Sequence, residues 1–295
     1  MNKKTVFYGA ATALITPFRD GEIDYEYLER LIEYQISGGI DAIVIGGTTG
    51  EAATLTDEER YSLFEFAAEK ISGRTRLILG TGTNDTRAAL KHTKYAERVG
   101  CDGVLLVTPY YNKGTEAGVE KHYLTIAEST VLPTILYNVP SRTGVNLGIN
   151  LVSRLAEQEN IVAIKEASDS ADRLVSLAAL GDKIDLYAGN DSQIYTTLAL
   201  GGKGVISVVS NLLPKLTHDI CARFANKETD DSLKMQLEIL PLIRALFAET
   251  NPAPIKHAMS LVGLSGGELR LPLSEVREST KELISLEVDK IKRFL

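Results

Sequence analysis

A lysine stands inside an apolar run that is typical of a buried strand. The run IVAIKEAS covers residues 161–168 and carries Lys165 near its end. A buried ammonium group without a partner is costly, so a lysine in such a place tends to lose its proton and become a nucleophile. Taken alone, the stretch also fits a strand end from which the lysine stem extends its amine into solvent.

Two further groups that could do chemistry stand together in YNVPSRTG, residues 137–144. The phenol of Tyr137 could transfer a proton, and the guanidinium of Arg142 could grip a carboxylate with two parallel hydrogen bonds. Each has a simpler explanation, because tyrosines often pack with their hydroxyl at the surface and loop arginines are usually solvated. Only their convergence with other groups on one site favours the chemical interpretation.

A glycine-rich turn, GGTTGE at residues 46–51, could bind an anion. Successive backbone N–H groups in such a turn can converge on a carboxylate, with the hydroxyls of Thr48 and Thr49 beside them. The alternative is a plain turn before a helix, with Thr54 and Thr56 as helix-capping residues.

These groups lie at or just after the ends of short β-branched runs that recur with amphipathic segments between them, a pattern that predicts βα units. Eight such runs, spaced by roughly 20 to 34 residues, predict a (β/α)8 TIM barrel, with an open doubly wound sheet as the alternative. No GxGxxG or GxxxxGK[ST] motif supports nucleotide binding. The runs lie at residues 9–16, 42–47, 76–82, 103–109, 133–139, 161–167, 185–190 and 204–210.

The last part of the chain has no such runs. We predict a catalytic barrel over residues 1–227 and a small C-terminal helical domain over 228–295, with helices near 231–249, 252–263 and 273–294. In a barrel of this kind the active site forms where the strands end, so Lys165, Tyr137 and the GGTTGE turn are expected to meet there.

Composition excludes several classes of protein. The 295 residues carry a net charge of −7 with pI near 5.3 and no basic run, which argues against nucleic-acid binding. No long apolar stretch predicts a membrane anchor, and the first 18 residues fit a strand and loop better than a targeting signal. Cys101 and Cys221 lack metal-binding spacing and indicate reduced thiols in a cytoplasmic protein.

The four histidines, His92, His122, His218 and His257, lie in helical segments without ligand spacing. We therefore predict structural or surface roles for them, no metal site and no cofactor. A neutral lysine, a tyrosine hydroxyl and an anion nest around one cavity are instead the parts needed for imine chemistry. The nest favours a 2-oxo acid as the imine partner, and Arg142 favours an electrophile that also carries a carboxylate.

A family resemblance rests on several motifs taken together. The sequence resembles, nearly from end to end, the dihydrodipicolinate synthase branch of the N-acetylneuraminate lyase superfamily. The matching pieces are GGTTGE, GTGTNDT, TPYYNK, YNVPSRTG, IKEAS, GND, GVISV and ETNPAPIKHAM. Any one of them alone would be weak evidence.

The resemblance implies a role for each matching residue. Lys165 forms the Schiff base with pyruvate, and Tyr137 relays protons. Thr49 links Tyr137 to Tyr111, which reaches into the active site of a neighbouring subunit. The resemblance further implies that the backbone of Thr48 and Thr49 binds the pyruvate carboxylate and that Ile206 lines the pocket. It also implies that Arg142 binds the carboxylate of the aldehyde substrate.

The activity so implied is condensation of pyruvate with L-aspartate 4-semialdehyde to 4-hydroxy-tetrahydrodipicolinate, by a homotetramer built as a dimer of dimers. The alternative is a lyase for a keto-sugar acid, whose family members share the lysine, the tyrosine and the turn but lack the S-R-T-G arrangement around Arg142. A ligand-sensing barrel without activity would predict a damaged set of catalytic residues, and none is missing.

The resemblance also implies an effector pocket between subunits, where lysine inhibits many family members. Asn84 and Tyr110 match this pocket. Inhibited members tend to have histidine in place of Asp57 or Arg60 and glutamate in place of Ala88. Since alanine cannot pair with the effector's ammonium group, we expect weak or absent inhibition by lysine.

Overall fold

The computed structural model describes residues 3–295, so Met1 and Asn2, which open the predicted first domain, lie outside the described residues. All eight predicted β-runs form strands, and a short extra pair precedes the second run. The strands are β1 (Gly9–Ala13), β2 (Phe18–Arg19), β3 (Glu22–Ile23), β4 (Ala42–Ile45), β5 (Arg76–Gly80), β6 (Gly103–Val107), β7 (Thr134–Asn138), β8 (Ile161–Glu166), β9 (Asp185–Ala188) and β10 (Gly204–Ser207).

Eight of these strands close into a parallel barrel. β1 pairs with β10 on one side and with β4 on the other, and the remaining strands follow in chain order. This closure confirms the (β/α)8 TIM barrel and excludes the open doubly wound sheet.

Helices cover the barrel and form the end of the chain. They are α1 (Tyr25–Ser37), α2 (Asp57–Ile71), α3 (Thr86–Val99), α4 (Glu116–Ala127), α5 (Pro140–Thr143), α6 (Ile149–Leu155), α7 (Ala171–Ala178), α8 (Ile194–Ala199), α9 (Pro214–Ala225), α10 (Thr229–Glu238), α11 (Leu240–Leu246), α12 (Ala253–Ser260) and α13 (Glu278–Ile291). No helix among residues 3–295 combines the length and the apolar composition needed to cross a membrane.

Strand alternation separates the inner from the outer side of the barrel. Tyr137 packs with Ile135 and Ile206 in the apolar cluster that fills the barrel. The intervening Leu136 and Ile164 pack in a second cluster with the covering helices. Leu136 and Ile164 therefore face outward. Tyr137 and Lys165, the next residues on the same two strands and register partners of each other, face the barrel interior.

The end of the chain packs against the barrel. Apolar residues of α11, α12 and α13, such as Leu242, Ile255 and Ile284, share one continuous cluster with the outer faces of the first barrel strands. Within the described chain no strand follows Ser207. The division into domains at residue 227 stays a prediction.

Two local features differ from the predictions. The helix predicted over 231–249 is two helices, because Pro241 lacks an N–H and is tolerated only in the first turn of a helix, here α11. The strands β2 and β3 form a hairpin that was not predicted. Its turn, Asp20-Gly21, has positive φ at both residues (53° and 81°), which is the tight hairpin turn that an Asp-Gly pair favours.

Candidate active site

The amine of Lys165 lies at the barrel mouth against an aromatic ring. Lys165 is only 5% exposed, and its Nζ is 4.4 Å from the centre of the Tyr137 ring. The two residues are register partners on β8 and β7, so the sheet itself sets their separation. The structure therefore places Lys165 in the site and not in open solvent.

A cavity of about 860 Å³ opens above this pair, a size typical of sites for small molecules. The cavity brings together most of the predicted site. Thr48, Thr49, Tyr137, Arg142 and Lys165 all line it, together with Asp191, Val208 and Asn251.

The glycine turn is shaped by close backbone packing. Gly46 has a φ of 67°, which L-residues with a side chain rarely adopt. A Cβ on Gly80 would lie 2.2 Å from the Gly46 carbonyl oxygen, so both positions require glycine. Within the turn, the N–H groups of Gly50 and Glu51 bond to turn carbonyls. Among the hydrogen bonds of the described chain, the backbone N–H groups of Thr48 and Thr49 find no acceptor and remain available to an anion.

Of the two threonines predicted as alternative helix-capping residues after this turn, one caps a helix. Thr56 caps α2, accepting from the Glu59 N–H at 3.2 Å while the Glu59 side chain accepts from the Thr56 N–H. Thr54 instead donates to the Glu51 carbonyl. Capping by Thr56 and a cavity wall made by Thr48 and Thr49 therefore occur side by side.

Arg142 lies on α5, the one-turn helix that follows β7. Its Nη2 donates to the main-chain carbonyl of Asn251 at 2.8 Å. A guanidinium has five N–H donors, so this bond leaves several for a carboxylate in the cavity.

Two cavity residues were not predicted individually. Asn251, in the ETNPAPIKHAM segment, donates from Nδ2 to Thr49 Oγ1 at 2.9 Å. Asp191 accepts the N–H groups of Val208 and Val209 through Oδ2 at 3.0 and 2.9 Å. Burial raises the pKa of the Asp191 carboxyl, an effect that these hydrogen bonds and the positive charge of Lys165 oppose. The sequence signals were the Asn-Pro pair and the AGND loop, and neither indicates a partner.

A buried network of charged and polar side chains lies on the outer side of β7 and β8. Glu166 follows Lys165, faces outward and is fully buried. Its carboxylate accepts from Asn138 Nδ2 at 2.9 Å and from Arg173 Nε at 2.7 Å. Asn138 in turn follows Tyr137, so this network joins the two strand ends that carry Tyr137 and Lys165.

Two predicted residues lie away from the cavity. Tyr111 is 90% exposed and lines neither cavity near the site. Ile206 is fully buried inside the barrel, packed in the same cluster as Tyr137, and the cavity wall is formed by Val208 two positions later.

A second cavity of about 430 Å³ borders the first, with Tyr137 and Arg142 in both walls. Its lining includes Asp57, Arg60 and Tyr110. Burial lowers the pKa of the Arg60 guanidinium, whose Nη1 and Nη2 donate to the Gly80 and Ala52 carbonyls. Asn84 is half-buried outside this lining, and its main-chain carbonyl accepts from Asn112 Nδ2 at 3.0 Å.

All four histidines lie in helices. Burial lowers the pKa of His92 and of His122 to about 4, so both are neutral near pH 7. His218 pairs with Asp41, which raises the pKa of its ring.

Cys101 and Cys221 are buried free thiols. Residues 3–295 hold no group of three or more side chains arranged to bind a metal ion.

Comparison with known proteins agrees with this geometry. A 4-hydroxy-tetrahydrodipicolinate synthase from Clostridium novyi is 49% identical over 281 residues, covering 95% of each chain. The solved structure of the 4-hydroxy-tetrahydrodipicolinate synthase from Methylacidiphilum fumariolicum superposes with a TM-score of 0.95 at 41% identity, covering 98% of this chain and 97% of that one. A monomeric dihydrodipicolinate synthase variant superposes with the same TM-score, 0.95, at 41% identity and covers 98% of each chain.

The family model described as the dihydrodipicolinate synthetase family matches residues 6–291. The match includes every strand of the barrel and the last helix, together with all the residues that line the cavity around Lys165. The chain therefore belongs to the dihydrodipicolinate synthetase family.

Proposed function

We propose that this chain condenses pyruvate with L-aspartate 4-semialdehyde to give 4-hydroxy-tetrahydrodipicolinate, the first committed step of diaminopimelate and lysine biosynthesis. The observation that carries the proposal is the buried amine of Lys165, beside the Tyr137 ring in a cavity that also contains Arg142. The names of the relatives support the same activity and do not favour a keto-sugar-acid lyase. The proposed reaction needs no cofactor or metal ion.

The first step is formation of an imine on Lys165. The neutral amine adds to the C2 carbonyl of pyruvate, and loss of water gives a protonated imine. The free N–H groups of Thr48 and Thr49 are suited to hold the pyruvate carboxylate, which orients the carbonyl carbon toward Nζ.

The second step is removal of a proton from the pyruvate methyl group. The cationic imine accepts the electron pair and the product is an enamine. Tyr137 is the group best placed to move protons here, because its ring packs against the Lys165 amine. In the proposal Thr49 and Tyr111 extend this relay, and Ile206 belongs to the apolar cluster that contains the Tyr137 ring.

The third step joins the two substrates. The enamine carbon attacks the aldehyde carbon, and the aldehyde oxygen takes up a proton. Arg142 holds the carboxylate of the aldehyde substrate through the N–H groups that Asn251 leaves free. The amino group of that substrate then attacks the imine carbon, which closes the ring and releases the amine of Lys165.

A steady-state assay with two kinds of aldehyde tests this assignment. With pyruvate as the common partner, we expect rapid turnover of L-aspartate 4-semialdehyde and little or none of sugar aldehydes such as N-acetylmannosamine. A preference for the sugar aldehyde would contradict the proposal and favour the keto-sugar-acid lyase.

Replacement of Arg142 by lysine should weaken binding of the aldehyde substrate. Lysine keeps the charge but loses the two-pronged donor geometry, so the KM for L-aspartate 4-semialdehyde should rise about 10- to 100-fold. The KM for pyruvate should stay within about twofold, because its carboxylate lies at the glycine turn. Arg87→Lys, at a highly exposed arginine, is the matched control. Equal increases in both KM values would contradict this role.

We also propose a cytoplasmic homotetramer, built as a dimer of dimers. Tyr111 is highly exposed and has a φ of 68°, which is unusual for a residue with a side chain. An aromatic side chain held outside its own cavity is suited to enter the site of a neighbouring subunit. Sedimentation equilibrium should give a tetramer, and dilution to monomers should remove activity. A fully active monomer would overturn the proposal.

Inhibition by lysine should be weak or absent. The second cavity sets the guanidinium of Arg60 beside the Asp57 carboxylate, so it offers no excess negative charge to an ammonium group, and Ala88 on α3 provides no further carboxylate to attract one. Condensation rates measured against increasing lysine should therefore change little, whereas Ala88→Glu should increase the sensitivity. A micromolar inhibition constant for the unaltered chain would contradict this expectation.

A further inference from the structure

The segment ETNPAPIKHAM, residues 249–259, lies beside the active site although it is remote from it in sequence. Asn251 in this segment is 6% exposed and lines both cavities. It contacts two site residues at once. Its side-chain Nδ2 donates to Thr49 Oγ1 at 2.9 Å, and its main-chain carbonyl accepts from Arg142 Nη2 at 2.8 Å.

The segment is fixed to the glycine turn at a second point. Lys256 forms a buried ion pair with Glu51, the last residue of GGTTGE. The Lys256 amine also donates to the carbonyls of Thr16 and Glu268 at 2.8 and 2.7 Å. Because Asn251 and Lys256 hold Thr49 and Glu51, the segment fixes the turn on both sides of Gly50.

The Asn251 contact sets the direction of the Thr49 hydroxyl. A hydroxyl group has one hydrogen to donate and two lone pairs that accept. An amide NH2 group can only donate, so it occupies a lone pair of Thr49 Oγ1 and leaves the hydroxyl hydrogen free. Thr49 is itself almost completely buried, and no hydrogen bond within residues 3–295 uses that hydrogen.

We propose that Asn251 is a positioning residue that keeps the Thr49 hydroxyl a donor toward the proton relay of Tyr137. This inference rests on the proposed function, because it requires the relay and the imine on Lys165. The side chain of Asn251 affects proton transfer through its hydrogen bond to Thr49. The main-chain carbonyl of Asn251 accepts from Arg142, and every side-chain variant retains this carbonyl.

Two variants separate positioning from support of the fold. Asn251→Ala removes the donor, and kcat should fall about tenfold. Asn251→Asp keeps the size of the side chain but presents a carboxylate, which only accepts. The Thr49 hydroxyl should then donate to this carboxylate instead of to the relay, and kcat should fall further than in the alanine variant. In both variants the KM for L-aspartate 4-semialdehyde should stay within about twofold.

Acidity gives a further readout. A protonated aspartic acid regains an O–H donor, so the loss in Asn251→Asp should lessen as the pH is lowered, measured relative to the unaltered chain at each pH. Asn251→Ala has no such group, and its loss relative to the unaltered chain should not vary in this way. Asn226→Ala, at an exposed asparagine that ends α9, is the matched control.

A double-mutant cycle tests whether Asn251 acts through Thr49. In a Thr49→Val background the hydroxyl is absent, so adding Asn251→Ala or Asn251→Asp should lower kcat no further. Additive losses would overturn the proposal. Failure of both Asn251 variants to fold, judged by circular dichroism and thermal unfolding, would also overturn it, since the residue would then serve stability.

The decisive measurement needs pyruvate alone. We would follow exchange of the pyruvate methyl hydrogens for deuterium in D2O by NMR, which reports enamine formation without the aldehyde substrate. Slower exchange in Asn251→Asp than in Asn251→Ala, and in both than in the unaltered chain, supports the inference. Equal exchange in all three overturns the inference alone. No exchange in the unaltered chain would instead contradict the imine chemistry and with it both proposals.

Discussion

Replacement of Lys165 by arginine should abolish condensation, with a fall in kcat of about 10⁴-fold or more, the scale seen when a covalent nucleophile is removed. A guanidinium keeps the positive charge but stays protonated and cannot form an imine with a ketone. The steady-state rate with saturating pyruvate and L-aspartate 4-semialdehyde measures this loss.

The control for this experiment is Lys215→Arg, at an exposed lysine on α9 that pairs with Asp219. It should keep full activity. Circular dichroism should show that Lys165→Arg remains folded, because the arginine side chain can extend into the cavity of about 860 Å³. A Lys165→Arg variant that retains more than about a hundredth of the original kcat would rule out an obligatory imine at this residue.

The second large effect is expected for Tyr137→Phe. The change removes only the hydroxyl and leaves the ring packed against the Lys165 amine. Loss of a general acid–base group should lower kcat by about 10²- to 10⁴-fold. Pyruvate should still form the imine, more slowly, because the nucleophile is intact.

Tyr195→Phe provides the matched control, since Tyr195 is half-buried and packs edge-on against Phe224, outside the lining of the cavity. Its kcat should be unchanged. If Tyr137→Phe turned over substrate within about twofold of the unaltered chain, the proton transfers would have to be assigned to another group.

The barrel could be predicted from the sequence because its signal is local. Most of the strands are short runs rich in β-branched residues and bounded by turn residues, and the position of each strand in the barrel follows from its order along the chain. The positions of Lys165 and Tyr137 at adjacent strand ends follow from the same local signal, and the register of β7 and β8 pairs the two residues. Local sequence patterns therefore predict both the barrel and the positions of Lys165 and Tyr137.

The rest of the site depends on contacts that no local pattern predicts. Asn251 meets Thr49 across 202 positions of sequence. The Lys256 and Glu51 pair joins segments of similar separation. Nothing in either segment signals its partner, since an Asn-Pro pair predicts only a turn or helix boundary.

The charged residue after Lys165 illustrates the same limit. The sequence predicts that Lys165 is the residue whose burial is costly, yet Glu166 beside it is more deeply buried. The free-energy cost of burying the Glu166 carboxylate is offset by its ion pair with Arg173 on α7 and its hydrogen bond from Asn138 on β7. Strand alternation explains the outcome, because the lysine faces the cavity and the glutamate faces the helices.

The central claim is that Lys165 forms the imine with pyruvate. We would incubate the protein with pyruvate, reduce it with borohydride, and identify the modified peptide by mass spectrometry. The account predicts one reduced pyruvyl adduct, located on Lys165. The absence of an adduct, or an adduct on a different lysine, would contradict it.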